Sequence, residues 1–171
     1  MKLHIRKATI ADAKVLSELG GTTFYDTFRP YHTEEDMQQY IKKAYSVELI
    51  IENLLNSTIQ YFIAFDNENP IGYTKLIKNV THEKLTTENN IELEKIYVLK
   101  NYFDKKVGKE LMIEAINYSK QNHFETLFLG VWQENKRAIV FYKKFGFETF
   151  TIRTFQLGET LCDDFLMKLI L

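Results

Sequence analysis

The residues best suited to chemistry lie in two stretches, KIYVLKNYFDKKVGKELMIEAI and GVWQENKRAIVFYKKFGF, with a pair of acids just ahead of the first. In the first stretch an apolar run, Ile96-Tyr97-Val98, gives way to a basic loop carrying Lys105, Lys106 and Lys109, with Val107 and one glycine, Gly108, between them. A helical pattern follows at once. The first turn of a helix has unpaired N–H groups and a partial positive charge, so such a strand, loop and helix start can hold a phosphate with main chain alone. With a single glycine the loop reads equally well as a solvated basic turn. Glu92 and Glu94 stand two apart, and a regular strand turns both to one side. They are then either surface carboxylates paired with Lys75 or Lys95, or groups able to take a proton. In the second stretch a polar turn leads into a helix that carries Tyr142 and Lys144 and ends at Gly146. Asn135 at its start has the side chain of a helix cap. Tyr142, beside Phe141 and Phe145, is either a core aromatic or a phenol with a task.

The elements that must position these residues can be read from periodicity and turn signals. LHIRKAT alternates as a strand, and Thr9 stands three residues before Asp12 as a capping-box start for a helix stopped by Gly20-Gly21. TTFYDTF is a short aromatic helix ended by Pro30. Thr33 with Asp36 opens EEDMQQYIKKAY, and Ser46 opens VELIIENLL. QYFIAFD and IGYTKLI form a hairpin across NENP, and THEKLTTENN is a polar, mobile loop. IELEKIYV is a strand, VGKELMIEAINYSKQN a helix with Leu111, Met112, Ala115 and Ile116 on one face, and TLFLGVW a buried strand. NKRAIVFYKKF is a helix closed by Gly146, and FETFTIRTFQL, Gly158 and CDDFLMKLIL make a last hairpin. The order implies a mixed α/β architecture, with parallel crossovers through the two later helices and antiparallel hairpins.

Length and composition narrow the classes. A chain of 171 residues, 45% hydrophobic, suits one domain spanning 1–171. Lys plus Arg (22) nearly balances Asp plus Glu (23), so no global charge draws it to nucleic acid or to an anionic membrane. The N-terminus has no signal-like apolar run and no window suits a membrane span, so a cytoplasmic protein is expected. One cysteine, Cys162, excludes an internal disulfide, and four scattered histidines lack ligand spacing, so no metal site is expected.

Asn135, Ala138, Phe141, Tyr142, Lys144, Gly146 and Phe147 stand in the register N-x-x-A-x-x-F-Y-x-K-x-G-F. This closing motif resembles that of the GCN5-related N-acetyltransferases (GNAT), and the resemblance runs from IRKAT to the C-terminal hairpin. The family's Q/R-x-x-G-x-G/A loop is matched less well: Phe103 replaces Gln or Arg, Lys106 replaces the first glycine, and Gly108 fits. Lys106 keeps its N–H donor so long as its backbone stays in a region open to L-residues. More narrowly, TFRPYHTEEDMQQYIKKAYSVELIIENLLN, ELEKIYV and RTFQLG look like the bacterial spermidine/spermine N-acetyltransferase branch.

The resemblance implies a GNAT-type central sheet, mixed and mostly antiparallel, of about seven strands with helices on both faces. It implies acetyl transfer from acetyl-coenzyme A to a primary amine, a polyamine such as spermidine or spermine first, by direct attack. Glu92 would be the general base, with Glu94 second, and Tyr142 the proton donor to the leaving thiolate. The main chain at Ile96 and Val98 would bind the pantetheine arm as an added strand. The N–H groups from Lys105, Lys106, Val107, Gly108 and Lys109 would hold the pyrophosphate. Asn135 would bond the coenzyme, and Lys144 would meet a phosphate near the adenine end. On the acceptor side, Phe24, Tyr25, Asp26, Phe28, Tyr31, Glu34, Glu35 and Asp36 offer carboxylates and rings, although acids at a helix start are more often dipole partners. The rival readings are a protein or peptide N-acetyltransferase and a non-catalytic acyl-coenzyme A sensor, and a homodimer stays open.

Overall fold

The computed structural model describes residues 2–157 and 160–171. Gly158, expected in the last hairpin turn, lies outside the described residues. The strands are β1 (Leu3–Lys7), β2 (Ile59–Asp66), β3 (Asn69–Lys78), β4 (Asn90–Val98), β5 (Thr126–Trp132), β6 (Glu148–Leu157) and β7 (Thr160–Ile170). The α-helices are α1 (Ala13–Phe28), α2 (Glu34–Ala44), α3 (Val47–Leu55), α4 (Val107–Gln121) and α5 (Lys136–Lys144). Seven strands make a sheet in the order β1-β2-β3-β4-β5-β7-β6, mostly antiparallel with β4 and β5 parallel, as the fold reading expected. Contacts divide the chain into two compact units, the first through Leu76 with Lys95–Ala115, the second Ile77–Glu94 with Ile116–Leu171.

In the first unit β1 pairs antiparallel with β2 from Leu3 opposite Asp66 to Lys7 opposite Phe62. The chain leaves β1 through a polar knot. The Thr9 N–H donates to Asp12 Oδ2 at 2.8 Å, and the Arg6 guanidinium donates to both carboxylate oxygens at 2.7 and 2.8 Å. The Arg6 bond holds the Asp12 carboxyl down at about 2, against burial, which pushes it up, with the Thr9 amide and hydroxyl adding to the lowering. Thr33 and Ser46 cap α2 and α3 as expected, accepting from the Asp36 and Leu49 N–H groups.

The glycine pair behaves differently from the sequence expectation. α1 runs through Gly20 and Gly21 to Phe28, absorbing the separate aromatic helix. Both glycines are buried, and a Cβ at Gly20 would lie 2.4 Å from Tyr45 Cδ1, while one at Gly21 would lie 3.2 Å from Ile41 Cγ2. The missing side chains admit neighbouring groups to the helix surface. That packing outweighs the helix-breaking tendency of glycine, which is worth only about 1 kcal/mol per residue.

A small core in this unit joins Ala64 and Ile71 to Val107 and Leu111, with Leu3, Ile5, Ile96, Val98 and Tyr102 packed against it. The end of β4 and the start of α4 are therefore pinned to the same apolar cluster. The turn between them is held from both sides.

In the second unit β4 runs parallel to β5, with Asn90, Ile91 and Glu92 opposite Thr126, Leu127 and Phe128. β7 pairs antiparallel with both β5 and β6, so β5 and β6 point the same way with β7 inserted between them. The α5 crossover is thus parallel, as expected. α5 stops at Gly146, whose φ of 89° needs the left-handed region that glycine enters freely. The polar segment ahead of β4 is bonded to its surroundings: Asn89 Nδ2 donates to the His123 carbonyl at 2.6 Å, and Lys84 Nζ donates to Thr151 Oγ1 at 2.9 Å.

Candidate active site

The site is best built from the turn between β4 and α4 in the first unit. A short 3-10 turn, Lys100–Tyr102, follows β4, and then the backbone enters the left-handed region at Asp104 (φ 63°) and again at Lys106 (φ 64°). Non-glycine residues visit that region at a cost of about 1–2 kcal/mol. Lys106 therefore adopts the conformation for which glycine is ordinarily selected, rather than an ordinary L-residue geometry. The local shape survives the substitution at the expense of strain. α4 opens with the Glu110 N–H donating to the Lys106 carbonyl at 3.1 Å, so the N–H groups of Val107, Gly108 and Lys109 precede any intrahelical acceptor. The Lys105 N–H, expected among the phosphate donors, instead donates to the Tyr102 carbonyl at 3.3 Å, because the turn closes on itself there. The open N–H groups at the mouth of α4 remain suited to an anion, and the helix dipole adds to them.

Side chains brace this turn. Lys105 Nζ lies 4.4 Å from the centre of the Tyr102 ring, and the Tyr102 hydroxyl reaches Asp66 Oδ2 at 3.4 Å. Lys105, Lys106 and Lys109 are exposed, so their charges are available to an anion. Ile96 and Val98 send their side chains into the core cluster, which leaves main chain as the part of them able to serve a ligand. Gly72 is matched to this strand: a Cβ there would lie 2.8 Å from the Tyr97 carbonyl oxygen.

The second unit carries the groups able to move protons. Glu92 has a side chain 12% exposed and pairs with Arg153, Oε1 to Nη1 at 3.6 Å, while Glu94 on the same strand is exposed. Tyr142 is buried on α5, its ring 5.5 Å from that of Phe141 and 5.9 Å from that of Phe147. Burial pushes the Tyr142 phenol well above its ordinary value, so it carries its proton throughout the neutral range. A phenol in that state is a donor, never a base. Asn135 caps α5, accepting from the Ala138 N–H at 3.1 Å, so its Oδ1 is engaged and its amide nitrogen is the part left for a ligand. Lys144 is exposed in the last turn of α5.

Two features escaped sequence reasoning. Arg153, a partner of Glu92, is 61 positions away; it opens the RTFQLG stretch, but nothing in that stretch ties it to Glu92. Its only forewarning is Gly130, a glycine inside an apolar strand, which marks a close approach by another group. The other concerns the early acids. Glu34 accepts from Arg29 and Tyr25, and Asp36 bonds to the cap residue Thr33, so these two serve the helix start. Glu18 and Asp26 line an open cleft of about 440 Å³ between α1 and α2, with Ser17 and Thr22, and with Tyr25 and Gln38, which also bond Glu34. Among the described residues no group of three or more His, Cys, Asp or Glu could hold a metal ion, and no helix is long and apolar enough to cross a membrane.

The chain is similar to known proteins in sequence and in overall structure. Residues 22–147 match the model of the acetyltransferase (GNAT) family. An uncharacterized N-acetyltransferase of Lactobacillus delbrueckii subsp. lactis is 31% identical, over 85% of this chain and 84% of its own length. The spermidine N(1)-acetyltransferase of Thermoplasma acidophilum is 29% identical, over 98% of this chain and 97% of its own. Among solved structures, the PaiA N-acetyltransferase of Thermoplasma acidophilum in complex with coenzyme A superposes with a TM-score of 0.82 at 26% identity, covering 100% of both chains.

Proposed function

We infer the acceptor and the residue roles from one premise: the chain belongs to the acetyltransferase (GNAT) family and is an acetyl-coenzyme A-dependent N-acetyltransferase. The acceptor is a primary amine of the polyamine class, spermidine or spermine first. Two observations support that choice. The Thermoplasma relative named as a spermidine N(1)-acetyltransferase aligns with nearly the whole chain. Within the first unit, the cleft bearing Glu18, Asp26 and Tyr25 offers carboxylates and an aromatic ring, the groups that recognise an alkylammonium by charge pairing and cation–π contact.

The observation that carries the cosubstrate side is the mouth of α4. Its N–H groups at Val107, Gly108 and Lys109, with the flanking lysines, would hold the diphosphate, and the main chain of Ile96 and Val98 would align the pantetheine arm. Asn135 would donate its amide N–H to the coenzyme, and Lys144 would meet a phosphate.

In the transfer step Glu92 takes a proton from the substrate ammonium, and the freed lone pair attacks the thioester carbonyl. A C–N bond forms and the C–S bond breaks. Tyr142 gives its phenolic proton to the departing thiolate, the acylated nitrogen gives up its second proton to restore the phenol, and Glu92 returns the first proton to solvent, leaving a neutral amide. Glu94, exposed on the same strand, is second in line as the base. We place the reaction in the cytoplasm, where metabolism supplies acetyl thioesters.

The test is thiol release from acetyl-coenzyme A against a panel of polyamines, amino acids and peptides, repeated with Glu92→Gln. Spermidine and spermine should give the highest kcat/KM, and the variant should lose most of it. Release with peptides alone would overturn the polyamine assignment, and a fully active Glu92→Gln would overturn the base.

A further inference from the structure

We propose that Arg153 is the positioning residue for Glu92, and that Gly130 is glycine because the guanidinium must cross the sheet at that point. The proposal rests on Glu92 acting as the base.

The geometry lies within the second unit and spans four strands. Arg153 on β6 stands directly opposite Asp164 on β7, Asp164 is opposite Trp132 on β5, and Glu92 on β4 is opposite Phe128 on β5. From β6 the arginine side chain extends over β7 and β5 toward β4. It places Nη2 at 3.6 Å from Asp164 Oδ2 and Nη1 at 3.6 Å from Glu92 Oε1. Both carboxylates are largely buried, with side chains 12% and 14% exposed, whereas that of Arg153 is 47% exposed.

Any side chain at position 130 would obstruct this path. A Cβ there would lie 2.6 Å from Arg153 Nη2, 3.3 Å from Asp164 Oδ2 and 3.4 Å from Leu166 Cδ2. Glycine in the interior of a strand weakens it and is retained where something must approach the backbone closely. Here the approaching group is the guanidinium itself.

A bridging cation between two poorly solvated carboxylates does more than tie β6 to β7. A cross-strand pair with Asp164 would need only one arm of the fork. The second arm reaches Glu92, and a planar guanidinium fixes the two contacts in one orientation, which the single charged point of lysine does less well. Arg153 thus holds the Glu92 carboxylate in place while contacting no reacting atom. Asp164 anchors the arginine, and Thr154, donating to Asp163 Oδ1 at 3.0 Å, braces the same strand pair.

Two independent lesions should give one phenotype. Arg153→Gln removes the cation, and Gly130→Ala pushes it aside while keeping all three charges. Each should lower kcat roughly 10- to 100-fold, the scale of a small displacement of a reacting group, with KM for acetyl-coenzyme A unchanged. Arg153→Lys should recover part of the loss. In a Glu92→Gln background, Arg153→Gln should cost nothing further. Melting curves and coenzyme A binding report whether each variant is folded, and if Gly130→Ala unfolds, the Arg153 variants decide alone. Wild-type kcat in Arg153→Gln beside an impaired Glu92→Gln overturns the arginine proposal alone. Fully additive losses in the double variant overturn it too. A fully active Glu92→Gln overturns the base assignment and, with it, this proposal.

Discussion

The carbonyl of Lys106 accepts the hydrogen bond that opens α4, from the Glu110 N–H at 3.1 Å, while Lys106 itself is held at a φ of 64°. One residue thus combines a strained backbone, a helix start and a positive charge. Two substitutions separate these properties. Lys106→Gly relieves about 1–2 kcal/mol of left-handed strain. Part of that gain is offset by about 0.4–1 kcal/mol of extra freedom in the unfolded chain. The variant should therefore melt slightly higher than wild type. Lys106→Ala keeps the strain and loses the ammonium. If that charge meets the diphosphate, coenzyme A should bind about 2- to 5-fold more weakly to both variants, the worth of one exposed charge pair. Titration calorimetry reads the affinity. Unchanged binding in both variants would remove the Lys106 ammonium from the phosphate grip.

Tyr142 separates chemistry from packing. The phenol is buried against Phe141 and Phe147, and Tyr142→Phe preserves both ring contacts. Melting temperature should hardly change, while kcat falls about 100-fold or more if the hydroxyl protonates the thiolate. The pH dependence has a definite sign. Because burial raises the phenol above its ordinary value, the donor stays protonated through the pH at which a free tyrosine ionises, about 10. Wild-type kcat should therefore show no alkaline fall from this group below about pH 10. A Tyr142→Phe enzyme with wild-type kcat would leave the ring as core alone.

What could be read from the chain, and what could not, divides along the range of the forces involved. Helix α4 was legible from Val107 onward because its apolar stripe, Leu111, Met112 and Ala115, repeats at helical spacing within one element. Asn135 and Gly146 marked both ends of α5 because caps act over three or four residues. Gly20 and Gly21 misled because their reason is Tyr45 and Ile41, which approach from elsewhere in the fold. Arg153 was hidden for the same cause: its link to Glu92 exists only once β5 and β7 lie between β4 and β6. The left-handed backbone at Lys106 was likewise invisible, since side-chain type argued against the geometry that tertiary contacts impose.

The two adjacent glycines of α1 should respond to alanine with different signs. At Gly20 the new Cβ would lie 2.4 Å from Tyr45 Cδ1 and 2.5 Å from Cε1, atoms of a rigid, buried ring. Overpacking of that kind costs about 1–3 kcal/mol. At Gly21 the nearest atom is Ile41 Cγ2 at 3.2 Å, which must yield only a few tenths of an ångström. Alanine also gains up to about 1 kcal/mol inside a helix. Urea denaturation should show Gly20→Ala clearly destabilised and Gly21→Ala near or above wild type. Equal losses at both sites would mean that Tyr45 is not the barrier.

Acid sensitivity should be traceable to Asp12. Its carboxyl is held at about 2, chiefly by the Arg6 side chain, whereas in the unfolded chain it returns to the ordinary value of 3.8. A depressed carboxyl stabilises the fold fully above its unfolded value, and that contribution disappears as pH falls through the folded one. With Arg6 half exposed and screened by solvent, the contribution is about 1–2 kcal/mol. Asp12→Asn removes the charge while keeping an acceptor for the Thr9 N–H. The stability gap between wild type and variant should therefore stand at its full size at pH 7, narrow from about pH 4 downward, and close near pH 2. Denaturation at a series of pH values measures it directly. A gap that stays constant with pH would assign the loss to packing at the β1 exit rather than to the ion pair.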